Sequence, residues 1–237
     1  MTTSTEDGAL VLADISGFTA FITATELEHG PAIIAELLEQ VIGRLSPTLE
    51  IQEVEGDAVF ALGPDAVVVP PVKLLDVLDD AFVAFRTRKR ELEADESCGC
   101  NACRGVGMLD LKIVAHHGRF LRQSVAGHSQ VAGPDVILAH QLLKNGLGKR
   151  AYVLLTEPTV EWLGIEAPSA DLVEHVERYE HLGDVRCFVQ LLDQPSDEGG
   201  GEAWDVPAKN RRTADERFFA GTSQAPPPPS SLTPVAA

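Results

Sequence analysis

Ala9-Leu10-Val11-Leu12-Ala13-Asp14-Ile15-Ser16-Gly17-Phe18-Thr19 is the stretch from which the fold can be read. An unbroken apolar run that stops at Asp14 and Ser16-Gly17 has the pattern of a strand buried on both faces and ending in a turn. Gly17-Phe18-Thr19 then opens a helix. Downstream, Pro31 sits where a first-turn proline is tolerated, and Ile34, Leu38, Val41 and Leu45 follow at steps of four, three and four, which predicts one buried helical stripe. Residues 48–54 alternate, Glu55-Gly56-Asp57 punctuates, and Ala58-Val59-Phe60-Ala61-Leu62 returns, so a hairpin with Gly-Asp at its tip is expected.

Further along the chain, Leu75, Leu78, Phe82 and Phe85 again keep helical spacing, with Asp76, Asp79 and Asp80 expected on the outward side. Residues 109–115 read as a strand ending at His116-His117-Gly118, and residues 120–125 as its hairpin partner. Residues 133–143 form a helix candidate, and residues 152–155, 173–179 and 186–192 supply further strands. Mixed order of this kind, without strict βαβ alternation, predicts an α+β fold. The expected domain covers residues 8–192. From residue 193 to 237 Gly, Pro, Ser and charge dominate, ending in Pro226-Pro227-Pro228-Pro229, which predicts a mostly disordered acidic tail. Within it, residues 211–219 could form a short docking helix, although a solvated segment is the favoured reading.

Nineteen Lys and Arg against 36 Asp and Glu leave a net charge of −17, which disfavours nucleic acid and anionic lipid as partners. No run approaches the roughly 18 apolar residues of a membrane span, and Glu6 and Asp7 stand where a signal peptide carries basic residues, so the expected location is cytoplasmic. Cys98, Cys100 and Cys103 crowd into six residues, away from Cys187, a poor disulfide framework and a better metal candidate.

Asp14, at the end of one strand, and Asp57, at the tip of the hairpin expected beside it, are each ordinary alone. Together they place two carboxylates on neighbouring elements, which suits Mg²⁺ or Mn²⁺ and, through the metal, a triphosphate. The backbone N–H groups of Gly17, Phe18 and Thr19 would face the same spot.

These residues resemble a known family. Residues 11–19 and Glu53-Val54-Glu55-Gly56-Asp57-Ala58 are similar to the two metal-binding motifs of the class III nucleotide cyclases, the adenylate and guanylate cyclase catalytic domains. His116-His117-Gly118, Gly133-Pro134-Asp135-Val136 with Ala139, and Leu182-Gly183-Asp184-Val185 follow in that family's order. The chain also resembles a divergent bacterial branch with a C-x-C-x-x-C insert. The resemblance implies a ferredoxin-like sheet with helices packed on one face and a head-to-tail dimer. It also implies metal carboxylates from one protomer, at Asp14 and Asp57, and transition-state residues from the other.

By the same resemblance, Ile15, Gly17, Phe18 and Thr19 belong to the nucleotide site, and Glu53 and Gln130 stand at the positions that choose the base. Glu53 leans toward guanine. The family's catalytic asparagine and arginine, however, fall on Ile137 and Gln141. Loss of one preorganised donor typically costs about 10²–10³ in rate, and loss of an arginine on a transferring phosphoryl about 10³–10⁵.

Three thiolates at Cys98, Cys100 and Cys103 could hold Zn²⁺ with one further ligand, for which Cys187, His116, His117 or a second protomer are open choices. His116 and His117 point to opposite sides of a strand, which favours structural roles. Lys144, Lys149 and Arg150 form a basic cluster that either caps a helix or meets phosphate. Three readings therefore stand. One is a divergent, regulatory module that binds Mg-nucleoside triphosphate as a homodimer with impaired cyclisation. Another is a working cyclase using non-standard residues or a heterodimer with a complementing cyclase-like chain, and the third is a zinc-stabilised dimerisation domain.

Overall fold

The computed structural model describes residues 4–192; the tail from residue 193 and the helix suggested at residues 211–219 lie outside the described residues. The elements are β1 (Ser4–Ser16), α1 (Phe18–Ala24), α2 (Gly30–Leu45), β2 (Glu50–Glu55), β3 (Ala58–Pro64), α3 (Lys73–Ala94), α4 (Asn101–Gly105), β4 (Asp110–Val125), β5 (His128–Ala132), α5 (Pro134–Leu142), β6 (Tyr152–Thr156), α6 (Glu157–Leu163), β7 (Val173–Tyr179) and β8 (Gly183–Leu191). The fold is α+β, as the sequence predicts. One sheet runs in the order β2-β3-β1-β4-β6-β8-β7, with β5 paired to β4. Neighbours are antiparallel except β4 and β6.

The alternation of β1 divides the molecule. Ala9, Val11, Ala13 and Ile15 enter the large core beneath α1, α2 and α3, where Ile34, Leu38, Val41 and Leu45 supply the predicted stripe. Leu10 and Leu12 turn to the other face and meet Phe60, Phe120, Val136 and Ala139. The main helical layer thus covers one face, and α5 lies across the other. Burial of both faces is the physical reason for the unbroken apolar run that opens the chain.

Two expectations need correction. Residues 109–125 are not a hairpin: β4 is one strand of 16 residues that pairs with β1 from Asp110 opposite Ser16 to Arg122 opposite Ser4. Gly118 stays in this ladder, and the turn falls at Ala126-Gly127, both at positive φ (52° and 85°). The long β1 satisfies the backbone groups on both sides of Gly118, so no turn is needed there. Asp79 is also not outward-facing; it is 8% exposed, on the buried side of α3. The hairpin expected at Gly56-Asp57 is present, with Gly56 at φ +60°.

Candidate functional site

Asp14 lies at the end of β1 opposite Ala58, and the Ile15 N–H donates to the Asp57 carbonyl at 3.0 Å, so the hairpin tip is tied to the turn after β1. The Asp14 and Asp57 carboxyls meet there. Burial together with the Asp14 charge pushes the Asp57 carboxyl up to about 6. Lys112, on β4 opposite Asp14, aims its Nζ 2.7 Å from Asp14 Oδ2 and 3.1 Å from the Leu143 carbonyl. Sequence reading missed this lysine. Its signal was a cation set between the apolar Leu111 and Ile113, at the register position of a candidate ligand.

Gly17 caps α1 at φ +90°, and a Cβ on it would come 2.5 Å from the Met108 carbonyl oxygen, so the turn requires glycine. The same position lies 3.6 Å from an Arg150 nitrogen, which also stands 3.7 Å from Asp110. Phe18 is half-buried against the helical core and Thr19 is exposed. Ile15 is 1% exposed and its N–H is committed to Asp57, which leaves only its carbonyl for a ligand.

Glu53 and Gln141 line one groove of about 250 Å³ with Phe60, His140 and Lys144. Gln130 is not brought beside Glu53 within the chain. It is exposed on β5 opposite Gln123, whereas the row of Glu53 runs through Phe60 and Leu12 to Val114, nine residues earlier on β4. Ile137 is 57% exposed on α5, so a bare aliphatic side chain stands where the resemblance asks for a polar donor. A larger hollow of about 560 Å³ lies on the helix-covered side, where Arg86, Lys89, Arg90 and Arg150 converge with Glu93 and Asp110.

The remaining motifs have structural partners. His116 Nδ1 lies 2.8 Å from Thr156 Oγ1, and burial pulls its pKa down. His117 stacks on Trp162 at 4.7 Å between ring centroids and reaches Asp65 at 3.0 Å. Asp135 accepts from the Arg119 N–H at 2.7 Å, and a Cβ on Gly118 would sit 2.6 Å from that carboxylate. Gly118 and Asp135, from two motifs, therefore form one packing contact. Asp184 pairs with Arg178 through both carboxylate oxygens, at 2.6 and 3.0 Å.

The cysteines meet a residue that sequence reading did not select. His29, just before α2, places Nδ1 3.2 Å from Cys100 Sγ and 3.6 Å from Cys98 Sγ, and the sulfurs of Cys100 and Cys103 are 3.4 Å apart. Of the candidate fourth ligands, Cys187 is buried on β8 and bonds to the Val185 carbonyl, while both histidines of β4 are engaged as described. The N–H of Cys103 and the His29 ring draw the Cys100 thiol down to about 7.

This sheet order, with the helical layer on one face and α5 on the other, defines the class of the fold: it is that of the class III nucleotide cyclase catalytic domains. The solved guanylyl cyclase Cya2 superposes with a TM-score of 0.60 at 13% identity, covering 83% of this chain and 98% of that one. An adenylyl cyclase of P. aeruginosa gives 0.57 at 14%, covering 84% and 100%. A Catenaria anguillulae guanylate cyclase domain in complex with GTP gives 0.56 at 14%, covering 80% and 98%. The chain belongs to the family described as "Protein of unknown function (DUF2652)", whose model matches residues 34–152. An uncharacterised protein of Mycobacterium tuberculosis is 33% identical over 130 residues, which take in 55% of this chain and 60% of that relative's length. Among the described residues no helix is long and apolar enough to cross a membrane.

Proposed function

We propose that this chain is a class III cyclase-like domain that binds a nucleoside triphosphate with Mg²⁺ or Mn²⁺ through Asp14 and Asp57, as part of a homodimer, and cyclises it poorly or not at all. The observation that supports this reading is the juxtaposition of the two carboxylates at the join of β1 and the β2–β3 hairpin. Two acids this close, balanced by the single ammonium of Lys112, form an oxygen-donor set that suits a hard divalent cation. Asp14 and Asp57 would hold the metal, which when bound supplies charge neutralisation for phosphate oxygens.

The chain's own residues then divide the work. The Gly17 turn exposes N–H groups to an anion, Arg150 adds a cation beside it, and the Glu53 carboxylate accepts hydrogen bonds from a base such as guanine. Ile137 can neither donate nor accept. Gln141 carries no charge, so both functions lost at these positions lower transition-state stabilisation while leaving metal-assisted binding intact. A regulatory, nucleotide-sensing role is consistent with that combination.

A second reading, a working cyclase, has one observation in its favour: Lys144 stands three residues after Gln141 and lines the same groove as Glu53. There an ammonium would replace the missing guanidinium.

Thermal unfolding with ATP or GTP, with and without Mg²⁺, tests the binding reading. A ligand at a hundredfold excess over its Kd stabilises the native state by about 2.7 kcal/mol. The expected result is a nucleotide-dependent rise in Tm only with the metal, absent in Asp57→Asn. An undiminished rise in that variant removes Asp57 from the site, and robust cyclic nucleotide synthesis by the purified protein establishes the second reading.

A further inference from the structure

The insert between α3 and β4 brings together four metal-ligating side chains that the nucleotide reading does not use. One donor atom from each of His29, Cys98, Cys100 and Cys103 lies within 4.8 Å of every other. The shortest separations are 3.2 Å (His29 Nδ1 to Cys100 Sγ), 3.4 Å (Cys100 to Cys103 Sγ) and 3.6 Å (Cys98 Sγ to His29 Nδ1). For tetrahedral zinc, Zn–S bonds of about 2.3 Å and a Zn–N bond of about 2.0 Å require S···S edges of about 3.8 Å and N···S edges of about 3.5 Å. These three separations lie close to those edges, and the remaining pairs stay within 4.8 Å.

The surrounding backbone is organised around the same point. Glu26, three residues before His29, accepts from the N–H groups of both Asn101 and Ala102 at 3.1 Å. The Cys103 N–H points at Cys100 Sγ at 3.4 Å, a hydrogen bond that favours a thiolate. Ala102 and Val106 are fully buried, anchoring the insert in the main core. Gly30 is buried directly after His29, and its Cβ position would lie 2.5 Å from Thr25 Oγ1, so the α1–α2 connection is held tightly where the histidine leaves it.

We propose that His29, Cys98, Cys100 and Cys103 form a structural Zn²⁺ site that clamps the α1–α2 connection to the α3–β4 insert. Sulfur and imidazole donors in tetrahedral array select zinc over magnesium or calcium, and four protein ligands leave no open position for water, which makes the site structural. Binding displaces a proton from each thiol: Zn²⁺ and three Cys–SH give a zinc tris-thiolate with neutral His29 and three released protons, with no change of oxidation state. By tying α4 to the loop after α1, the metal supports the short helix that starts at Gly17. This inference stands independently of nucleotide binding.

The test uses the full chain as expressed, with total metal measured by elemental analysis. The expected content is close to one zinc per chain in the natural protein and in Cys187→Ser, and much less after dialysis of His29→Ala or Cys98→Ser against a chelator. Because those variants risk misfolding, the natural protein is also stripped and titrated with Co²⁺. Intense visible ligand-field bands together with sulfur-to-metal charge transfer are expected at one equivalent, and alkylation should reach Cys98, Cys100 and Cys103 only in the stripped protein. Three outcomes would each overturn the proposal: folded protein without zinc or a tetrahedral Co²⁺ spectrum, a Cys100–Cys103 disulfide in the freshly purified chain, or full zinc retention in His29→Ala.

Discussion

Asp57 illustrates how much a single residue reveals once its neighbours are in place. Its carboxyl rises from the ordinary 3.8 to about 6 because it is partly buried and faces Asp14. Between those values the folded protein keeps a proton that the unfolded chain has released, so stability falls as pH rises through the window. Asp57→Asn removes that cost. The variant is expected to be more stable than the natural chain at neutral pH, by roughly 1 kcal/mol after allowance for solvent screening. The advantage should vanish near pH 4, where both chains are uncharged at that position. Urea denaturation at the two pH values checks this, and an advantage that persists in acid would place its origin elsewhere. The same variant should lose the Mg²⁺-dependent nucleotide stabilisation, so a metal-free gain in stability accompanies a loss of ligand response.

At the scale of elements, β4 and α5 are locked by Gly118 and Asp135. A side chain on Gly118 meets the Asp135 carboxylate at 2.6 Å, while that carboxylate holds the Arg119 N–H. Gly118→Ala is therefore expected to destabilise by about 1–3 kcal/mol, the usual cost of overpacking. Asp135→Ala should cost less by itself, and the double variant should be more stable than the sum of the two predicts, because the clash disappears with the carboxylate. Strict additivity in thermal melts would refute the contact. The ladder to β1 also explains why a motif that reads as a turn in sequence, His116-His117-Gly118, continues as strand: Gly118 pairs with Gly8 in an unbroken register, and each glycine leaves room for a different neighbour, Asp135 beside Gly118 and the Gly63 carbonyl beside Gly8.

For the whole molecule, the decisive matter is whether the cyclase-like architecture still turns over substrate. If, as the cyclase resemblance implies, Ile137 and Gln141 stand at the positions of the family's catalytic asparagine and arginine, cyclic nucleotide production by the purified chain is expected to be at least about 10³-fold below that of an active cyclase. Ile137→Asn with Gln141→Arg should raise it, and adding Asp14→Ala should abolish the gain. If activity appears only on mixing with a second cyclase-like chain, that partner supplies the donors. Sedimentation velocity should show a dimer in either case. A monomer that binds Mg-nucleotide would separate binding from assembly and contradict a shared site.

The apolar run of β1, the helical stripe of α2, the Gly-Asp hairpin and the pairing of Asp14 with Asp57 were legible in the sequence. The first three depend on local periodicity or on turn residues a few positions apart, and the two aspartates, 43 residues apart, were linked through the hairpin expected beside β1 and through family motifs that lie in order along the chain. Tertiary structure alone decided the rest. His29 lies 69 residues before Cys98, with no spacing rule to link them, and only the packing of the insert under α1 brings its ring to the three cysteines. Lys112 became the counter-ion of Asp14 through the β1–β4 register, and the separation of Gln130 from Glu53 likewise follows from which strands lie between them. Local chemistry writes the elements into the chain, whereas a site joins residues whose distance along it carries no information about their distance in space.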